Sequence, residues 1–112
     1  MKYSYEGIDH LAITLPMFNA VPGHVCKLTR SGDAAECDSG DKFIGVAEGL
    51  HKSMVAVQVE GFVTVPYSGT KPEFGYVKLA GNGEGGVAMN TNGREYLVVS
   101  VDADEMTAVI KL

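Results

Sequence analysis

The alternation of apolar and polar positions is clearest over residues 54–65. Val55, Val57, Val59, Val63 and Val65 fall on one face, and Met54, Ala56, Gln58, Glu60, Phe62 and Thr64 fall on the other. Valines at period two with polar residues between them predict one half-buried β-strand. Gly61 inside the run predicts a bulge or bend, and Pro66 ends the ladder because it has no N–H to donate. Shorter runs predict further strands over residues 10–15, 24–29, 34–37, 42–47, 76–79, 87–89, 95–102 and 106–110. No window of about a dozen residues carries the apolar period of an α-helix. At most a short helical turn is expected, near Phe18 or Leu50.

Between these runs lie turn residues. Arg30-Ser31-Gly32-Asp33 predicts a hairpin that pairs Thr29 with Ala34, Leu28 with Ala35, Lys27 with Glu36, and Cys26 with Cys37. That register opposes the two cysteines, as reduced and buried thiols whose Cβ atoms lie about 4.5–5.5 Å apart. Asp38-Ser39-Gly40-Asp41, Thr91-Asn92-Gly93 and Asp102-Ala103-Asp104-Glu105 supply later turns. The fourteen glycines are about twice the usual number for this length, and they punctuate the apolar runs. The pattern predicts an all-β fold, a single small antiparallel β-barrel or compact sandwich. No internal repeat stands out. The stretch from Pro16 to Pro22 divides residues 1–19, an N-terminal arm or first strand, from a body over residues 20–112.

Composition narrows the class. A chain of 112 residues supports one domain with a real core. Its net charge of -5 argues against nucleic acid or an anionic membrane as partner. Two cysteines are too few for a disulfide scaffold, and no run has the length of a membrane span or the apolar core of a signal peptide.

Candidate chemistry is sparse. His10, His24 and His51 have no second ligand at metal spacing, and Cys26 and Cys37 do not form a Cys-x-x-Cys pair. The cluster Gly81-Asn82-Gly83-Glu84-Gly85-Gly86 lacks the Lys-Ser/Thr of a phosphate loop, so it predicts a hairpin loop. Asp38, Asp41, Asp102, Asp104 and Glu105 are turn carboxylates with no calcium-loop spacing. The residues point to an interaction module rather than an enzyme, with no cofactor and no metal. An alternative is a small ligand-binding or catalytic barrel with Cys26, His24 or His51 in its site.

Several segments carry a resemblance. These are Phe43-Ile44-Gly45-Val46-Ala47, the run from Val57 through Gly61 to Gly69, Pro72-Glu73-Phe74-Gly75-Tyr76-Val77-Lys78-Leu79, the run from Glu95 to Asp102, and the closing Thr107-Ala108-Val109-Ile110-Lys111-Leu112. Together they resemble the capsid decoration (cement) proteins of tailed bacteriophages and prophages of Gram-positive bacteria, over residues 20–112. The resemblance implies a β-rich virion protein assembled in the host cytoplasm. Such a protein binds the major capsid protein on the outer surface of the head, as a homotrimer. Another phage structural β-domain, from a tail tube, head-completion protein or baseplate, is the alternative. Residues 1–19 lie outside the resemblance. There Lys2, Tyr3, Ser4 and Tyr5 alternate in character, and the two tyrosines suit a capsid-binding arm.

Overall fold

A computed structural model describes residues 11–112; the candidate arm Lys2-Tyr3-Ser4-Tyr5 and His10 lie outside them. Every regular element among the described residues is a β-strand. The strands are β1 (Leu11–Pro16), β2 (Val25–Leu28), β3 (Ala34–Glu36), β4 (Gly45–His51), β5 (Met54–Glu60), β6 (Phe62–Pro66), β7 (Gly75–Gly81), β8 (Val87–Met89), β9 (Arg94–Asp102) and β10 (Thr107–Lys111). They form two antiparallel five-stranded sheets, ordered β1-β5-β4-β2-β3 and β6-β10-β9-β7-β8. The fold is thus all-β, built from two sheets rather than one closed barrel. Neither Phe18 nor Leu50 sits in a helical turn: Leu50 belongs to β4 and Phe18 to a bend.

The long valine run is the joint between the sheets. Residues 54–65 do not make one strand; β5 ends at Glu60, Gly61 turns with φ of 97°, and β6 opens the second sheet. A positive φ of this kind is readily adopted by glycine alone. Gln58, expected on the outward face, is buried, and its amide Nε2 donates to the carbonyls of Glu60 (3.0 Å) and Phe62 (3.1 Å). It braces the corner from both sides. The valines on one face of the run therefore enter two different cores. Val55 and Val57, with Val59 against them, pack with Ala20, Cys26, Ala34 and Ala47 inside the first sheet. Val65, with Val63 against it, packs with Leu79, Val87, Tyr96, Val98 and Ile110 inside the second.

The two strand orders are the same order. Adding five to each strand number of the first sheet gives the second, and the equivalence extends to detail. Ile13-Thr14-Leu15-Pro16 pairs with β5 as Val63-Thr64-Val65-Pro66, fifty positions later, pairs with β10. The residue after each proline makes a single parallel bridge to the first residue of the far edge strand, Met17 to Ala34 and Tyr67 to Val87. The next N–H then donates to that strand's carbonyl, Phe18 to Ala34 (2.9 Å) and Ser68 to Val87 (3.0 Å). Each sheet is thus coiled until its edges approach. Both β2–β3 and β7–β8 are joined by five-residue loops, 29–33 and 82–86. Each loop is closed by its first N–H to its last carbonyl (2.8 and 3.1 Å), and by its last N–H to its first side-chain oxygen (Thr29 Oγ1 and Asn82 Oδ1, both at 3.1 Å). One extra residue bulges from β4 (Glu48) and one from β9 (Val99). The chain carries an internal structural repeat that no sequence match announces.

The cysteine register is corrected by one position. Leu28 pairs with Ala34, Lys27 with Ala35 and Cys26 with Glu36, because the loop takes five residues rather than four. A one-residue slip exchanges the faces of a strand. Cys26 therefore lies in the first core and Cys37 in the second, and both thiols are free.

Candidate interaction surfaces

The second core does not belong to the second sheet alone. It takes Val25, Cys37, Phe43 and Val46 from the first half of the chain. Their neighbours Cys26 and Ala47 face the first core, so β2 at Val25 and Cys26 and β4 at Val46 and Ala47 are buried on both sides. The outer face of the first sheet thereby caps one end of the second. Phe43 stacks on Tyr96 with ring centroids 4.5 Å apart and planes 8° from parallel, and the Tyr96 hydroxyl donates to the Phe43 carbonyl at 2.8 Å. Arg94 lies over the other ring partner, 5.1 Å from the Tyr96 centroid.

The glycine cluster explains itself at this joint. It is a hairpin loop, as expected, and it is also where the backbones of the two halves touch. A Cβ on Gly81 would come within 2.4 Å of Cys37 Cβ, and one on Gly85 within 2.5 Å of the His24 ring. Val25 donates to the Gly85 carbonyl (3.0 Å), Gly40 to that of Gly81 (2.9 Å), and Gly81 in turn to that of Asp41 (2.8 Å). Local turn chemistry predicted the loop; only long-range packing shows why it lacks side chains.

The titratable groups singled out from sequence fall into separate places. His24 Nδ1 lies 2.6 Å from Glu36 Oε1, beside the joint. His51 is exposed at the end of β4. Lys27, expected to face Glu36, instead bonds Asp41 (2.7 Å) and reaches Asp38 (3.4 Å), while the Asp38 N–H donates to Asp41 Oδ2 (2.9 Å). The Lys27 ammonium and the Asp38 amide hold the Asp41 carboxyl below its ordinary value. Burial, then the Glu36 charge, pushes the Cys26 thiol up to about 11. Burial, then Asp41, pushes Cys37 up to about 12. Thiols shifted in this direction are protonated at neutral pH, the reverse of an activated nucleophile. No group of three or more His, Cys, Asp or Glu side chains converges as a metal site among the described residues.

What the surface does offer is apolar. A shallow depression of about 450 Å³ lies where Thr14, Ala56 and Gly49 make a row of small residues across β1, β5 and β4, with Leu50, His51 and Met54 beside them. It can seat an apolar group and offers a single imidazole. Elsewhere Phe74 and Tyr76 stand 68% and 74% exposed at the start of β7, and Phe18 and Leu28 stand 73% and 51% exposed on either side of Ala34. Exposed aromatics of this size in one place are a recognised mark of an interface. Sequence patterning did not single out these four. Comparison with protein-family models, with curated proteins and with solved structures gives no match.

Proposed function

We propose that this chain is a structural virion protein: a capsid decoration protein that binds the outside of a tailed-phage head and stabilises the lattice of the major capsid protein, as a homotrimer. The observation that carries the reading is the exposed pair Phe74 and Tyr76, which lies within one of the segments that resemble decoration proteins. A protein that works by adhesion needs a stiff body and surface anchors. Two coiled sheets sharing a core supply the first, and exposed aromatics supply the second. Modest contacts made by each protomer become tight when three are linked around a junction between capsid subunits. The acidic surface keeps the protein from competing for packaged DNA. In this reading Lys2, Tyr3, Ser4 and Tyr5 form an arm that adds contacts to the capsid protein. The test is depletion: virions lacking the protein lose DNA on mild heating or chelation at lower stress than complete ones, and adding the purified protein restores them. Depleted heads as robust as complete ones, or the protein located in the tail, would refute the reading.

A further inference from the structure

The internal repeat contains one joint, and each of its two surfaces occurs a second time, uncovered. Ladder partners align the halves at this place: Val25 opposite Val46 on β2–β4 corresponds to Tyr76 opposite Leu97 on β7–β9. Val25 is 0% exposed because the second half covers it, whereas Tyr76 is 74% exposed. The hairpin ladders align the ends: Leu28 opposite Ala34, just before loop 29–33, corresponds to Gly81 opposite Val87, just before loop 82–86. Gly81 is buried against Cys37, at the end of the second sheet that the first half caps; Leu28, at the uncapped end of the first sheet, is 51% exposed. Phe18 adds to that open end, since its N–H bonds the Ala34 carbonyl that Leu28 faces across the ladder. The molecule thus displays one free outer face and one free end, each the counterpart of a surface it has already buried against itself.

We propose that a second copy of this chain completes the pattern: the end of its first sheet, with Leu28, Phe18 and the loop 29–33, docks on the β7–β9 face that presents Phe74, Tyr76 and Leu97. The occupant follows from the joint within the chain, which shows what kind of surface covers this face: the end of a sheet of the same topology. The contact is heterologous, so it passes from copy to copy and closes into a ring where the rotation allows. It is also weaker than the internal joint. The end of the first sheet carries Leu28 and Arg30 where the second has Gly81 and Gly83, Gly32 matches Gly85, and Gly45 occupies the register position of Tyr96. Backbone cannot approach as closely there, and the stacked anchor is missing. Association therefore shows at high protein concentration or on a scaffold. The inference rests on the repeat and not on the head-stabilising reading, which a ring through other surfaces would satisfy equally.

Two surface variants of the full chain test it by sedimentation equilibrium up to millimolar concentration. Leu28→Asp destroys the end and leaves the face; Tyr76→Asp destroys the face and leaves the end. Each alone should lose the wild-type self-association by tenfold or more in dissociation constant. An equimolar mixture should regain one contact and stop at a heterodimer. Circular dichroism confirms folding, and Phe18→Ser replaces Leu28→Asp if that variant does not fold. A wild type that stays monomeric throughout, variants that associate like wild type, or a mixture that forms no heterodimer would each overturn the proposal. Wild-type trimers unaffected by either variant would overturn this contact while leaving the trimer standing.

Discussion

Gly85 sits under the His24 ring at a φ of 90°, and Gly81 meets Cys37 with no room for a methyl group. Gly81→Ala must displace Cys37, whose Cβ would lie 2.4 Å from the new methyl group, so urea unfolding should show a loss of about 2 kcal/mol or more, the scale of overpacking in a tight core. Gly49→Ala is the control, since nothing lies within 4 Å of its added Cβ and its φ is ordinary. It should change stability by less than about 1 kcal/mol, in the stabilising direction. Equal losses in the two variants would contradict a close-approach role. The thiols give a pH test. Both are held above the unfolded value of 9.0, at about 11 for Cys26 and about 12 for Cys37. A raised pKa contributes stability that is full below the unfolded value and is lost as pH rises through the folded one. Stability should fall from about pH 9 upward, less so in Cys26→Ser/Cys37→Ser if a serine pair is tolerated. Native protein at pH 8 should resist a disulfide reagent that labels both thiols at once after unfolding.

At the scale of elements, the strands over residues 87–89 and 95–102 were legible because each is short, alternating and bounded by Gly, Asn or Asp. The valine run was legible as strand but not as two strands. Period two persists through Gly61, so nothing local marks the point where the chain changes sheets. Gln58, two residues before the end of β5, reads in the sequence as an ordinary outward polar residue; only the fold shows it buried with its amide on the carbonyls at the corner. Gln58→Leu keeps a side chain of similar size but removes the amide that donates to the Glu60 and Phe62 carbonyls. It should cost about 1–3 kcal/mol in a denaturant titration. An unchanged midpoint would mean that the corner is held by Gly61 and the Leu112 amide, which donates to the Gly61 carbonyl at 3.0 Å. The hairpin register failed for a related reason: a four-residue turn and a five-residue loop fit the same sequence, and the choice falls to the Thr29 hydroxyl accepting from Asp33.

Across the whole molecule, the repeat escaped sequence inspection because its matches lie in backbone hydrogen bonds and ladder order. Only Ile13-Thr14-Leu15-Pro16 against Val63-Thr64-Val65-Pro66 survives as a run of similar letters. The exposed candidates Phe74, Tyr76, Phe18 and Leu28 escaped for the same reason, since exposure of an aromatic depends on which end of which sheet is capped. The shared core also predicts how the protein unfolds. Val25, Cys37, Phe43 and Val46 lose their cover if the second half opens, so thermal unfolding should be a single transition by both far- and near-ultraviolet circular dichroism. Two separated transitions would show that the halves are independent. The most direct test of the account is a cryo-electron microscopy reconstruction of particles carrying the protein. Density is expected on the outside of the head at junctions between capsid subunits, with each copy's Tyr76 face against the Leu28 end of the next. Density confined to the tail, or no density on the head, would contradict it.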